Sequence, residues 1–295
     1  MKKRVFMTGG TGFLGHSLSD QLVRAGYECC ILTRKPHAAC DGKRYVLGDI
    51  RNRARLHELM QELRPEVLVH LAWDVSQKDY ASSEENRKWI GWSVGLLEEF
   101  LACGGSTVMA SGTCMEYDLD AEHPHREEET QIRAGDSLYG ICKRETFRSF
   151  RTRCEHAGAR LLWGRIFYPF GPCEPRRKIF SQAITALASG QTFCCRSPEN
   201  RVDYIYVEDV AKIFLTLLDA KDAEGIFNIG TGTAVTLKDC LMKIATDLHA
   251  EARLSFGEAP GKIIVADMTK TRRFYPEPFV SVLDGLERLE EAIIR

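Results

Sequence analysis

Over roughly its first 170 residues the chain alternates short apolar runs with segments of helical periodicity, a pattern that predicts parallel strands joined by crossover helices. The runs RVFMTG, CCILTR, RYVLGD, VLVHLA, TVMASG and RLLWGRIF read as strands. Between them Leu14, Leu18 and Leu22 share one helical face, as do Leu56, Leu59, Met60 and Leu63, while Val94, Leu97 and Leu101 mark a third helix. The fold class predicted is α/β, a Rossmann-type doubly wound parallel sheet. Near residue 169 the pattern changes, because YPFGPCEPRRK is rich in proline and glycine and ends in three cations. Helices are predicted again at 181–189, 207–219 and 237–248, with the strand-like GIFNIG between the last two. The organisation expected is a first domain over 1–168, to which 204–230 returns, and a smaller C-terminal lobe made of 169–203 and 231–295.

Composition narrows the class of partner. The chain has 295 residues, with 40 basic side chains against 41 acidic ones, so no global field recruits nucleic acid or an anionic membrane. No apolar leader follows MKKRVFM, and no apolar run approaches the roughly 18 residues that cross a bilayer, so a cytoplasmic protein is expected. Eleven cysteines without a C-x-x-C pair suggest reduced thiols, and the doublets Cys29-Cys30 and Cys194-Cys195 fall in apparent strands as small buried hydrophobes. The acidic run REEET at 126–130 reads as a solvated loop. His123 and His125 have a spacing that could suit a metal, but with no other plausible ligand in their loop they read as solvated, and no metal is expected.

The chemistry begins at VFMTGGTGFLG, where Gly9, Gly12 and Gly15 follow a strand and open an amphipathic helix. A tight turn needs a residue tolerant of positive φ, a pyrophosphate needs a backbone without a Cβ in its way, and the helix N-terminus offers free N–H donors. The spacing is G-x-x-G-x-x-G, and its setting predicts a dinucleotide site with Thr11, Phe13 and Leu14 in the same loop and first turn. An NAD site carries an acid about 20 residues further on. Here the second strand ends LTRKPH, and Arg34 and Lys35 stand where that acid would be. A guanidinium binds a 2′-phosphate through charge-assisted hydrogen bonds, so NADP(H) is preferred and NAD(H) remains possible. The alternative for Arg34 is a side chain that merely snorkels at a strand end.

A second constellation lies in LYGICK, which sets Tyr139 and Lys143 four positions apart on a predicted helix. A free phenol is a poor proton carrier at neutral pH, and a neighbouring ammonium can lower its pKa while holding a ribose hydroxyl. Tyr-x-x-x-Lys alone is common surface decoration on amphipathic helices. Its place after the fifth strand of a dinucleotide fold, with Thr113 in ASGTCMEYD at the end of that strand, points to hydride transfer at an alcohol or ketone carbon.

Together with GDI, HLA, GRIFYPFGP, RVDYIYVEDVA and FNIG, these motifs make the chain similar to the extended short-chain dehydrogenase/reductase family from residue 4 to about 230. Its nucleotide-sugar epimerase, dehydratase and ketoreductase branch is nearest. The resemblance implies Thr113, Tyr139 and Lys143 as the catalytic trio, Asp49 and Ile50 around adenine, Leu71 and Ala72 along the cofactor, Asn86 on the cofactor side and Phe167 beside the nicotinamide. It further implies that Arg201 reaches the substrate diphosphate and that a homodimer forms through two helices per subunit. Where that family's 4,6-dehydratases place Asp-Glu after the threonine, this chain has Cys114-Met115, which cannot expel water. Its two-carbon epimerases resemble Ser-x-Cys-x-Tyr, one residue away from Cys114, so Cys114 and Met115 are expected to line the pocket. Tyr168 replaces the usual asparagine of R-x-F-N, and Trp73 replaces a small residue and should stack near the substrate. The reading these features favour is NADPH-dependent reduction of the 4-keto group of a nucleotide-activated deoxyhexose. A 4-epimerase with retained NAD and a non-catalytic dinucleotide sensor are the alternatives.

Overall fold

The computed structural model describes residues 3–38, 42–76, 79–121, 123–129 and 137–295. The chain opens with β1 (Arg4–Thr8), α1 (Phe13–Arg24), β2 (Glu28–Thr33), β3 (Lys43–Leu47), α2 (Arg53–Leu63) and β4 (Val67–His70). It continues through α3 (Glu85–Ala102), β5 (Thr107–Thr113), α4 (Leu138–Ala157), β6 (Arg160–Ile166), β7 (Tyr168–Phe170), α5 (Ile179–Ala188) and β8 (Phe193–Cys195). Next come β9 (Arg201–Val202), β10 (Tyr204–Tyr206), α6 (Val207–Asp219), β11 (Gly225–Ile229), β12 (Val235–Thr236) and α7 (Leu237–Asp247). The last elements are β13 (Leu254–Phe256), β14 (Ile263–Ile264), α8 (Thr269–Arg272) and α9 (Val282–Ile294).

Seven parallel strands form the main sheet in the order β11-β6-β5-β4-β1-β2-β3. Side chains alternate across it, so Val5 and Met7 pack under Leu18 and Leu22 of α1 and Phe214 of α6, while Phe6 faces Leu59 of α2, Phe100 of α3 and Phe150 of α4. Each such apolar side chain contributes about 1.5–3 kcal/mol when fully buried, which is why two helical layers close the sheet. Strand order reverses between β1 and β4, and the crevice beyond their C-terminal ends is where a fold of this type receives ligands.

The other elements gather around a second core in which Phe170, Phe180, Ile184, Tyr204, Leu241 and Leu286 meet. Periodicity assigns nothing beyond residue 248, yet α9 forms, started by the Ser281 hydroxyl accepting from the Asp284 amide at 3.1 Å and buried along Leu286 and Leu289. One expectation about the cysteines needs correcting. Cys29, Cys30 and Cys195 are buried, but Cys194 is exposed, because β8 is a short strand paired only with β13 and its middle residue faces outward. Among the described residues no helix is long and apolar enough to cross a membrane.

Candidate active site

Gly9 ends the first strand with φ of +74°, and a Cβ there would lie 2.7 Å from the Ala72 amide nitrogen. A Cβ on Gly15 would lie 2.0 Å from the Gly9 carbonyl oxygen, so only glycine lets α1 sit against the turn. Gly12 is the N-cap of α1 with no side-chain cap, and no acid occupies the first turn. The N–H groups of that end are left to a ligand, and the cradle fits the diphosphate of a dinucleotide. Thr11 is exposed at the turn, Phe13 and Leu14 are half-buried behind it, and Leu71 and Ala72 close the facing wall.

At the far end of the crevice Arg34 and Lys35 are exposed beyond β2. Asp49 forms a two-oxygen pair with Arg51 at 2.6 and 2.9 Å. That pair, with Arg34 adding a smaller effect, holds the Asp49 carboxyl below the usual carboxylate range. Ile50 is buried beside Phe6 and Cys30 and forms the floor rather than the wall.

The three residues of the expected trio converge at the end of β5. Thr113 caps a short 3₁₀ turn at Cys114–Glu116, its hydroxyl accepting from the Met115 amide at 3.2 Å, and it stands near enough to the Tyr139 phenol to offset a small part of the burial that raises that group. Ser137 starts α4 by accepting from the Gly140 amide at 3.0 Å. A Cβ on Gly140 would stand 1.9 Å from the Met115 carbonyl oxygen, so that glycine is what allows α4 to press its first turn onto the 3₁₀ turn. Lys143, one turn on, is 2% exposed and donates to the Ser111 carbonyl at 2.8 Å. Burial lowers its pKa to about 7, against the opposing charge of Glu116. Burial raises the Tyr139 phenol, with Tyr80 and Glu116 adding to the effect.

Aromatic rings enclose this pair. The Trp73 face lies 4.2 Å from Lys143 Nζ, and Tyr80 meets Tyr139 edge-on at 5.3 Å. His70, below them, is wholly buried between the Thr8 hydroxyl at 2.7 Å and the Ser93 hydroxyl at 2.9 Å, and burial drives its pKa to about 3, so it is neutral.

Asn86, Phe167, Cys114 and Arg201 have surroundings that the sequence did not announce. Asn86 is 2% exposed and spends its amide on the Tyr80 and Ser83 carbonyls and the Trp73 indole, so it holds the loop around Trp73 and Tyr80. Phe167 is wholly buried among Cys114, Tyr117 and Met268, leaving no side-chain surface for a nicotinamide. Cys114 is 4% exposed, closed off in that same cluster, and burial pushes its thiol up to about 12. Arg201 is exposed, because β9 turns its neighbour Val202 inward and a one-residue step on a strand reverses the face.

The loop at 123–129 also differs from expectation. His125 is wholly buried, stacked on Tyr117 at 4.9 Å with Nδ1 3.3 Å from Glu129, and His123 lies 3.7 Å from the same carboxylate. Glu127 is buried too, accepting from the Asn228 amide at 2.9 Å. The acidic run is therefore partly a tether between this loop and β11, a role no local sequence signal announces.

The model of the NAD dependent epimerase/dehydratase family matches residues 5–230. The chain belongs to this family. As a family member it is 26% identical over 299 residues to a UDP-glucose 4-epimerase of Rhizobium meliloti (strain 1021), covering 91% of this chain and 90% of that one. It is 24% identical over 323 residues to dTDP-4-dehydro-6-deoxyglucose reductase of Escherichia coli, covering 99% and 98%. The fold is shared with UDP-N-acetylglucosamine 4-epimerase from Methanobrevibacter ruminantium M1, solved in complex with UDP-N-acetylmuramic acid, at a TM-score of 0.87 and 21% identity over 100% of this chain and 99% of that one.

Within this family member a cavity of about 510 Å³ opens between β7, α5 and β10. Tyr168, Phe180 and Tyr204 supply aromatic walls, and Lys178 and Lys262 bring two cations that the sequence reading missed. Lys178 donates to the Pro169 carbonyl and stands 5.1 Å above the Phe13 ring, so it joins the cavity to the glycine turn. Its signal was present in the cationic end of YPFGPCEPRRK. Arg177 of that segment donates to the Val75 carbonyl, clasping the two lobes.

Proposed function

We propose that the enzyme uses NADPH to reduce the 4-keto group of a nucleotide-activated deoxyhexose. The observation that carries the reading is the meeting of Thr113, Tyr139 and Lys143 at the end of β5, in the same sheet whose β1 ends at the Gly9 turn and whose β2 ends at the exposed Arg34. When bound, the nicotinamide would supply the hydride. The chain's own residues do the rest. The turn at Gly9, Gly12 and Gly15 would hold the diphosphate on the free amides of the first turn of α1, and Arg34 and Lys35 pair with a 2′-phosphate. Thr113 orients the carbonyl through its hydroxyl, Tyr139 delivers a proton to the nascent alkoxide, and Lys143 as an ammonium supports the phenolate left behind. Trp73 and Tyr80 exclude water around that transfer. The aromatic walls of the cavity suit a stacked base, with Lys178 and Lys262 as the cations for its phosphates in place of Arg201.

Net reduction is favoured over dehydration because Cys114 and Met115 follow Thr113, and a thiol pushed up to about 12 is no acid/base catalyst at neutral pH. The second reading is a nucleotide-sugar 4-epimerase with retained NAD, and it is supported by the similarity to a UDP-glucose 4-epimerase at 26% identity. Denaturing the purified protein separates them. A protein that releases no stoichiometric NAD and binds NADPH reversibly supports the reductase, and tightly held NAD overturns it in favour of the epimerase. A homodimer is proposed with either.

A further inference from the structure

One buried carboxylate beneath the trio has no part in the chemistry described so far. Glu116 is 1% exposed, and all of its hydrogen-bonding capacity is turned inward. Oε1 accepts from the Thr113 amide at 2.9 Å and from the Trp163 indole at 3.0 Å, and Oε2 accepts from Arg165 Nε at 2.9 Å. Arg165 comes from the neighbouring strand β6, spends another nitrogen on the Glu127 carbonyl at 3.1 Å, and lies with its guanidinium 4.5 Å over the Tyr117 ring. The backbone makes room for the contact at Gly112, where a Cβ would stand 2.2 Å from the indole nitrogen and 2.4 Å from Glu116 Oε1. A buried ion pair is a poor source of stability, since removing two charges from water costs about as much as their attraction returns, so its place under a catalytic residue calls for another reason.

We propose that Glu116 is a positioning residue for the trio: it fixes the end of β5 by holding the Thr113 amide against Trp163 and Arg165, and it places one fixed negative charge beneath Tyr139 and Lys143. This rests on the assignment of those two residues as the proton-handling pair. Thr113 is extended, with φ −151° and ψ 150°, and its anchored amide fixes the backbone from which its hydroxyl caps the Met115 amide at 3.2 Å next to Tyr139. Glu116 is the acid that acts on both members of the pair, favouring the ammonium of Lys143 and disfavouring the phenolate of Tyr139. The other groups facing Lys143 are the Ser111 carbonyl on β5, neutral His70 on β4, the Trp73 face and Tyr139 on its own helix. Those facing Tyr139 are Tyr80, Cys114, Thr113, the Trp73 ring at 6.0 Å and Lys143 on its own helix. Glu116 thus adds to burial in keeping the acid protonated and offsets part of the burial that discharges its partner, as a reduction requires.

The test titrates Lys143 directly by NMR on ¹⁵N-lysine-labelled full-length protein, the resonance being assigned by its loss in Lys143→Met. Because no substrate is present, failure of the ketoreductase reading leaves this measurement standing. Glu116→Gln is expected to lower the Lys143 midpoint by about one unit and to move the Thr113 amide proton upfield as its charged acceptor is lost. Glu116→Asp keeps the charge on a shorter stem, so it should restore the Lys143 midpoint while the Thr113 amide remains shifted. A folded Glu116→Gln protein with both resonances unchanged overturns the proposal. Should Glu116→Gln not fold, Glu116→Asp decides alone: an unmoved Thr113 amide, or a Lys143 midpoint lowered as if the charge were gone, overturns it.

Discussion

Lys143 Nζ sits 4.2 Å from the centre of the Trp73 ring, so the ammonium of the trio rests on an aromatic face inside a site that otherwise desolvates it. Burial lowers the Lys143 pKa to about 7, and the π face works in the opposite direction by favouring the charged form. Trp73→Leu removes that support. A cation–π contact contributes about 0.5–2 kcal/mol, so kcat at pH 8 should fall roughly 2- to 30-fold, with a smaller loss at pH 6 where the ammonium persists. A kcat ratio that is the same at both pH values would remove the electrostatic role given to the ring.

Lys143 also links stability to pH. Its folded pKa of about 7 lies below the ordinary 10.5, so between those values the unfolded chain binds the extra proton and stability rises with pH. The burial penalty is fully present below about pH 7 and is relieved toward pH 10. Lys143→Met should therefore be inactive yet more stable than the wild type, with a Tm advantage that is largest near pH 6 and shrinks as pH rises. A constant Tm difference across that range contradicts the depressed pKa.

The C-terminal helix carries a carboxyl shifted the other way. Burial first, then the Asp247 carboxylate of α7, raises Glu290 of α9 from 4.5 to about 7. A raised acid binds its proton in the folded state, so stability is lost as pH climbs from 4.5 through 7. Glu290→Gln should leave Tm unchanged at pH 5 and raise it at pH 8, by roughly 1–3 kcal/mol of stability. Differential scanning calorimetry at the two pH values checks this. An equal effect at both would show that the carboxyl is ionised throughout.

Cofactor choice is tested at the end of β2. Arg34→Glu exchanges a cation for the acid that hydrogen-bonds ribose hydroxyls in an NAD site. Losing a charge-assisted bond costs about 1.5–3 kcal/mol, so KM for NADPH should rise at least roughly tenfold while KM for NADH falls. Unchanged values for both would leave Arg34 as a solvated strand end.

Much of the main sheet was legible because strand and helix periodicities alternate without interruption, and Val5, Phe6 and Met7 show the two-sided burial that such a run implies. The trio was legible for a different reason, since Tyr139 and Lys143 are one helical turn apart and Thr113 ends a strand. What sequence could not supply was the direction of side chains that have no periodic neighbours. Arg201 and Val202 differ by one step on a two-residue strand, and that step decides which of them enters the cavity. Asn86 and Phe167 sit at the right places in the chain, but tertiary contacts with Trp73 and Tyr117 consume their surfaces. Glu116 gave no sign of its own, since Asp118, Asp120 and Glu122 follow it in the same acidic stretch, and its partners Trp163 and Arg165 lie about fifty residues away.

The central claim is proton delivery by Tyr139 to a sugar carbonyl at the nicotinamide. It is tested most directly by incubating the wild type and Tyr139→Phe with a panel of nucleotide-linked 4-keto sugars and following NADPH absorbance. The proposed reaction requires that at least one sugar oxidises NADPH in step with formation of its 4-hydroxy product, and that Tyr139→Phe binds NADPH as the wild type does while turnover falls by about 10²–10⁴. Undiminished turnover in Tyr139→Phe, or no NADPH oxidation with any member of the panel, would contradict it.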